Sequence, residues 1–212
     1  MTRIQTANKA HGYVNTRELA APQDLQAGVL ELTIIPGRVN AIRFTPDSSH
    51  HVSAWNALPI NVGDMLNLRD IEQALENFKR VPTVEADIQI VPASQAQRAE
   101  GASNSDSQPG LSDLVIRYQQ RTPLRVAVGL DDSGSNSTGK YQGSTTLSGD
   151  NLLSLNDLFY VNYNHDLGGG DPGKRGTNGY SAHYSIPWDY WLFSTSTSSN
   201  DFHQTVAGIN QF

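Results

Sequence analysis

From residue 124 to residue 199 the chain keeps returning to a period of two. Leu124, Val126, Val128 and Leu130 alternate with Arg125, Ala127 and Gly129. Tyr141, Gly143, Thr145 and Leu147 alternate with Gln142, Ser144, Thr146 and Ser148, and Phe159, Val161 and Tyr163 with Leu158, Tyr160, Asn162 and Asn164. Tyr180, Ala182, Tyr184 and Ile186 carry the pattern on. Successive residues of a strand point to opposite faces, so each segment has one apolar or aromatic face and one small, polar face. Two architectures accept such strands in series, a transmembrane β-barrel and a soluble β-sandwich. The alternation suits both equally. The connections favour the barrel. Those at 131–140 and 168–179 are rich in Gly, Ser and charge, whereas those at 149–156 and 187–190 carry Leu, Pro and Trp. Long loops at one end and tight turns at the other belong to outer-membrane barrels.

Composition agrees with β-rich sequence. Hydrophobic residues make up 37% and charged residues 17% of the 212, and the mean hydropathy is -0.44. The balance is Gly, Ser, Thr, Asn and Gln, where a soluble enzyme usually carries more apolar and more charged residues. The net charge of -6 comes without a basic block, which argues against nucleic acid as a partner. The absence of cysteine excludes disulfides, thiolate metal sites and a cysteine nucleophile. No run approaches the ~18 apolar residues of a spanning helix. The opening MTRIQTANKAHGYVN lacks the apolar core of a signal peptide.

Before Pro123 the signals are mixed. Residues 28–35 alternate as a half-buried strand that Pro36-Gly37 ends, with an earlier strand at 13–19. Residues 39–44 make a short strand, and a short helix is expected near 53–58. A longer helix covers 67–81, with Asn67 as N-cap and Asp70 three residues on as the capping-box carboxylate. Its apolar stripe is Leu68, Ile71, Leu75 and Phe78. Strands follow at 84–91 and 114–119, separated by a long polar loop, 92–112, expected to be mobile. The order β-α-α-β-β makes an α+β unit, a three-stranded sheet with helices on one face.

These segments carry a family resemblance. GVLELTIIPGRVNAIRF, NVGDMLNLRDIEQALENFKRVP and DIQIVPA resemble the POTRA region of two-partner secretion outer-membrane transporters, the haemolysin secretion/activation family. RVAVGLDDSGSNSTGKYQGSTTLSGDNLLSLNDLFYVNYNHDL and YSAHYSIPWDYWLFSTSTSSNDFHQTVAG resemble the start of that family's barrel. The resemblance implies an α+β POTRA unit followed by antiparallel transmembrane β-barrel strands. Residues 1–36 would be the C-terminal part of a first POTRA domain, 37–121 a second, and 122–212 the N-terminal strands of an incomplete barrel. It implies outer-membrane protein translocation with the POTRA part in the periplasm. The partner would be an unfolded secreted protein of haemolysin, adhesin or toxin type, held by its N-terminal secretion domain and passed through the pore. Outer-membrane lipid is the other partner, and no cofactor, metal or enzymatic activity is implied. Against the family pattern the sequence shows no signal peptide, no plug helix, no complete first POTRA unit and only about four or five barrel strands. An open barrel edge leaves backbone groups unpaired in lipid, so the chain reads as a fragment. The rival readings are a soluble surface adhesin or carbohydrate-binding β-domain, and a non-functional remnant of a transporter gene.

The expected partner surface is the edge strand at 83–91, with Thr83, Glu85, Asp87, Gln89 and Val91 as its residues. A sheet edge offers free N–H and C=O groups to which an extended client can add as a further strand. The same prolines and carboxylates, Pro82, Pro92, Glu85 and Asp87, would also suit plain protection of an edge against aggregation. Other constellations carry less. His165-Asp166 and His183 lack a nucleophile elbow. His50-His51 with Asp47 has no further ligand at a metal spacing. Asp131-Asp132 and Asp171 lack EF-hand spacing, and the Gly168-Gly169-Gly170 run lacks the Lys and helix of a phosphate loop.

Overall fold

The computed structural model describes residues 2–23, 28, 31–93, 110–206 and 209–211. The chain groups into two units. The first comprises Met1–Arg80, Val84–Gln119 and Trp188–Tyr190, and the second Val81–Thr83, Gln120–Pro187 and Trp191–Phe212.

The first unit opens with α1 (Thr2–Ala10), which the sequence reading did not anticipate. The segment has no apolar stripe to announce a helix, but neither does it contain Gly or Pro. Gly12, at φ +91°, ends it, and the Tyr13 N–H returns to the Asn8 carbonyl at 2.9 Å. The strands expected at 13–19 and 28–35 are shorter than their alternation suggested. They appear as β1 (Arg17–Leu19) and β2 (Thr33–Ile35), paired antiparallel with Glu18 opposite Ile34. Residues 29 and 30 lie outside the described residues, as do 94–109 of the expected long loop.

The main sheet of this unit holds β3 (Arg38–Phe44), β4 (Val84–Pro92) and β5 (Leu111–Gln120) in the order β3-β5-β4. The central β5 runs parallel to β3, with Ile42 opposite Leu114. Helix α2 (Leu68–Lys79) packs against β4. Asn67 caps α2 as expected, its side chain accepting the Arg69 N–H at 3.0 Å. The expected first helix is one hydrogen-bonded turn, in which the Ala57 and Leu58 N–H groups donate to the Ala54 carbonyl at 3.1 and 2.9 Å.

Val39, Ile60, Leu66, Ile71 and Leu114 form one cluster of the apolar core, with Ile42 and Ile88 packed against it. Phe78 meets Tyr118 edge to face at 5.5 Å, and both are fully buried. The buried face of α2 is Ile71, Ala74, Asn77 and Phe78, while Leu68 and Leu75 are only half-buried. The helix is thus rotated slightly from the expected stripe, and the reason is Asn77. Its amide donates to the carbonyls of Ala57 (2.9 Å) and Asp189 (2.8 Å), which requires Asn77 to face inward.

The turn Trp188–Tyr190 completes this unit. Asp189 adopts φ +51°, and its N–H donates to the Asn56 carbonyl at 2.9 Å. Trp188 meets Trp55 edge to face at 5.0 Å. The Tyr190 hydroxyl donates to Asp70, the carboxylate expected to close the capping box. Burial, then the hydrogen bond and charge of Asp70, push the Tyr190 phenol up to about 12. Because the folded value exceeds the ordinary 10, the contact holds fully below pH ~10 and is lost as pH climbs toward ~12. Alkaline absorbance titration should therefore show a late phenol that is missing from Tyr190→Phe. Identical titration curves would contradict the contact.

In the second unit β6 (Leu124–Asp131), β7 (Gln142–Asp150), β8 (Leu158–Asp166), β9 (Gly176–Trp188), β10 (Trp191–Val206) and β11 (Ile209–Gln211) form one sheet in sequence order. That is one strand more than the sequence reading counted. Leu124, Val126 and Val128 pair with Gly149, Leu147 and Thr145, and Leu147 pairs with Val161. Val161 in turn pairs with Ala182, and Tyr163 with Tyr180. This register puts the apolar residues of four strands on one face. The face is open: Val126 is 67% and Val128 71% exposed.

At one end the loops after β6 and β8 are tied to each other. The Tyr141 and Asp171 N–H groups donate to the Gly168 and Asn136 carbonyls at 3.0 and 2.8 Å. These two connections, rich in Gly and Ser, are cross-braced. At the other end the loop after β7 folds around two fully buried carboxylates. Arg125 grips Asp150 with two hydrogen bonds of 2.8 and 3.0 Å. Asp157 accepts the Leu153 and Leu155 N–H groups at 3.1 and 3.3 Å. No described helix is long and apolar enough to cross a membrane, a criterion that does not apply to strands.

Candidate partner-binding edge

Strand β4 lies at one margin of the three-stranded sheet, with β5 on its inner side and no further described strand on its outer side. The strand forms because Val84, Ala86 and Ile88 alternate toward the core while Glu85, Asp87 and Gln89 alternate toward solvent. Val84 and Ala86 are buried, and Ile88 packs against the central cluster. The alternation fades after Gln89, where Ile90 is 37% exposed and Val91 half-buried.

The five expected residues therefore differ in placement. Glu85, Asp87 and Gln89 share one exposed face, and Gln89 Nε2 donates to Asp87 Oδ2 at 3.2 Å. Val91 lies near the strand's end. Thr83 precedes β4; its carbonyl accepts the Arg121 N–H at 2.9 Å, so that acceptor is already engaged.

The ground beside the edge was not legible in the sequence. Glu85, Ala86 and Asp87 of β4 and Arg117 and Gln119 of β5 line a shallow groove of about 200 Å³. Its wall is braced by Asp47, whose Oδ2 accepts from Arg117 Nε at 3.3 Å and Gln119 Nε2 at 3.0 Å. A hydrogen bond from the Thr45 side chain, helped by the Arg117 charge, holds the Asp47 carboxyl below its ordinary value. Arg117 is thus paired with Asp47. Farther along β5, the fully buried Asp113 pairs with Arg43 and accepts from Asn40 Nδ2 at 2.7 Å. The signal for this face was the alternate set Asp113, Val115, Arg117 and Gln119. It stays unread until β5 is known to be the central strand.

The other constellations do not assemble into chemistry. His183 stacks on Tyr160 at 4.9 Å and His165 on Tyr163 at 6.2 Å. Tyr160 and Tyr163 are an odd number of residues apart on β8, so the two histidines lie on opposite faces of the sheet. Asp166 accepts the Gly168 N–H at 2.7 Å, and Asp131 the Ser133 N–H at 2.9 Å. Among the described residues no three His, Cys, Asp or Glu side chains converge on a metal site.

An α+β sheet unit joined to a run of antiparallel strands with one open apolar face defines a POTRA-and-barrel protein. The comparisons reach the same place. The POTRA domain model matches residues 38–92. The model of haemolysin secretion/activation protein ShlB/FhaC/HecB matches residues 110–212. The outer membrane transporter CdiB-2 of Burkholderia pseudomallei (strain 1026b) is 40% identical over 209 residues, 98% of this chain and 33% of that protein. The structure of CdiB from Acinetobacter baumannii superposes with a TM-score of 0.81 at 28% identity, covering 98% of this chain and 36% of that one. CdiB from Escherichia coli gives 0.78 at 27%, covering 99% and 37%. The chain belongs to the haemolysin secretion/activation family of two-partner secretion outer-membrane transporters. It spans about a third of the length of the curated relatives it matches.

Proposed function

We propose that this chain works in protein translocation across the outer membrane, taking hold of an extended secreted partner at the POTRA sheet and passing it toward a β-barrel pore. On this reading residues 37–121 are a POTRA domain in the periplasm, 1–36 the end of a preceding one, and 122–212 part of the barrel wall. The client is the N-terminal secretion domain of a secreted protein of haemolysin, adhesin or toxin type. The observation that carries the reading is the outer margin of β4, a strand whose solvent-facing side chains from Glu85 to Gln89 are polar. A client strand gains a ladder of main-chain hydrogen bonds there without unfolding anything. No cofactor or reaction enters this cycle, because capture and handover are binding events.

The test is a substitution that spoils the client ladder if the Gln89 N–H faces the client. Gln89→Pro removes one backbone donor and bends the strand end, while the exposed Gln89 side chain is no part of the core. Binding of a secretion domain to the detergent-solubilised full chain should fall, with an unchanged melting curve. His165→Ala and His183→Ala should bind as the parent does. Full affinity in a folded Gln89→Pro variant would remove the edge from the mechanism.

A further inference from the structure

A cavity of about 450 Å³ opens at the looped end of β8, β9 and β10, with His165, Arg175, Asn178, Asp201 and His203 in its lining. We propose that it seats the zwitterionic headgroup of a membrane lipid, a phosphate bearing an ammonium arm, with the phosphate on Arg175 and the ammonium on Asp201. The proposal rests on reading residues 122–212 as barrel wall, and it adds a lipid site to that wall.

The site lies where the apolar face of the sheet ends. On that face Tyr163 of β8 pairs with Tyr180 of β9, and both rings are exposed. Two residues on, His165 pairs with Asn178, and its ring lies parallel to that of Tyr163 on the same side. Aromatic rows flank the apolar band of a membrane barrel and sit at the level of the headgroups. The cavity is one step beyond the tyrosines, at headgroup depth. Gly176 makes the room. A β-carbon there would come within 2.7 Å of His203 Cε1, so no side chain fits between them.

The charges of the cavity select the ligand. Arg175 is half-buried, and its Nε and Nη1 are shut off from solvent with no hydrogen-bond partner among the described residues. Donors stripped of water and left unpaired are costly, and a phosphate is the acceptor that suits a guanidinium. The long stem of Arg175 lets these donors turn toward an acceptor in the cavity. An anion alone, however, is opposed by carboxylates. Asp166 is engaged, accepting the Gly168 N–H at 2.7 Å, but Asp201 stands exposed. A cation alone would leave Arg175 unpaired. A ligand that carries both charges answers both side chains. Among the described residues no three His, Cys, Asp or Glu side chains converge as metal ligands, so the cluster is not a metal site.

The full chain in maltoside micelles is titrated with three probes, and binding is read from phosphorus NMR line broadening. The probes are dihexanoyl phosphatidylethanolamine, dihexanoyl phosphatidylglycerol, and glycerophosphoethanolamine, which is the first head without acyl chains. The ethanolamine lipid should bind about tenfold more tightly than the glycerol lipid, which has the phosphate but no ammonium. Arg175→Gln should weaken both lipids about tenfold, and Arg175→Lys should recover part of the loss. Asp201→Asn should weaken the ethanolamine lipid alone and so close the gap, which a merely misshapen pocket would not do. Lys79→Gln makes the same change of charge as Arg175→Gln, on α2, and should leave both lipids unchanged. Equal binding of the two lipids to the parent, or parental binding in a folded Arg175→Gln variant, would overturn the proposal. Glycerophosphoethanolamine binding as tightly as its lipid would make this a site for a soluble solute and overturn the lipid assignment. If the chain still inserts into vesicles after any of these results, the barrel-wall reading stands. A chain that does not insert loses both.

Discussion

Phe78→Ala is expected to destabilise the POTRA unit by about 3–5 kcal/mol, the usual cost of emptying a buried aromatic site. Phe78 is fully buried, and its ring stands edge to face on Tyr118 of the central strand. Removing it deletes the transfer energy of the ring and also the contact that seats α2 on β5. The neighbours cannot readily collapse into the gap, because Tyr118 is held from the other side. The hydroxyl of Ser48 accepts the Tyr118 N–H at 3.1 Å, and the Tyr118 carbonyl accepts the Ser49 N–H at 2.8 Å. Leu75→Ala on the same helix should cost less than half as much, since Leu75 is only half-buried. Denaturant unfolding followed by Trp fluorescence measures both. Equal losses at the two positions would restore the stripe read from the sequence and reject the helix rotation that Asn77 imposes.

Val128→Lys is expected to weaken folding into a bilayer by roughly 2–4 kcal/mol, the penalty for a cation on the lipid face near the membrane midplane. Val128 sits in the middle of β6, opposite Thr145, and is 71% exposed on the open apolar face. Its neighbour Ala127 points to the other face, opposite Thr146. Ala127→Lys should be tolerated, since that face carries Arg125, Thr146 and Asn162 and is already polar. Urea titration of vesicle-inserted protein compares the pair. A larger loss at Ala127 than at Val128 would mean that the faces are assigned the wrong way round.

Much of this arrangement could be read from residues, and the reasons are local. The alternation around Val126, Val161 and Ala182 survives in the fold because each strand's face is decided by its own period. The N-cap at Asn67 is likewise written within two residues of itself. What the sequence hid depends on contacts far along the chain. Asn77 looks like a solvent residue until its bond to Asp189, 112 positions away, is seen. Asp70 looks like half of a capping box until Tyr190 claims it. The expected first helix shrank to one turn because Asn56 and Ala57 give their carbonyls to Asp189 and Asn77. Of the candidate site, Glu85, Asp87 and Gln89 were legible as a polar face. The groove wall of Asp47, Arg117 and Gln119 was not, since it joins residues about 70 positions apart.

The central claim, capture of an extended client along β4, is tested most directly by position-specific crosslinking. The chain has no cysteine of its own, so Gln89→Cys and Arg38→Cys each introduce a single reactive thiol. The two probe opposite margins of the sheet, β4 and β3. Both residues are exposed, so either thiol is reachable. A secretion domain carrying one cysteine scanned through its sequence is mixed with each variant under mild oxidation. Disulfides should form from Gln89→Cys to client positions of one parity, the signature of an added strand, and not from Arg38→Cys. Crosslinks confined to Arg38→Cys, or formed from Gln89→Cys with no alternation, would contradict the account.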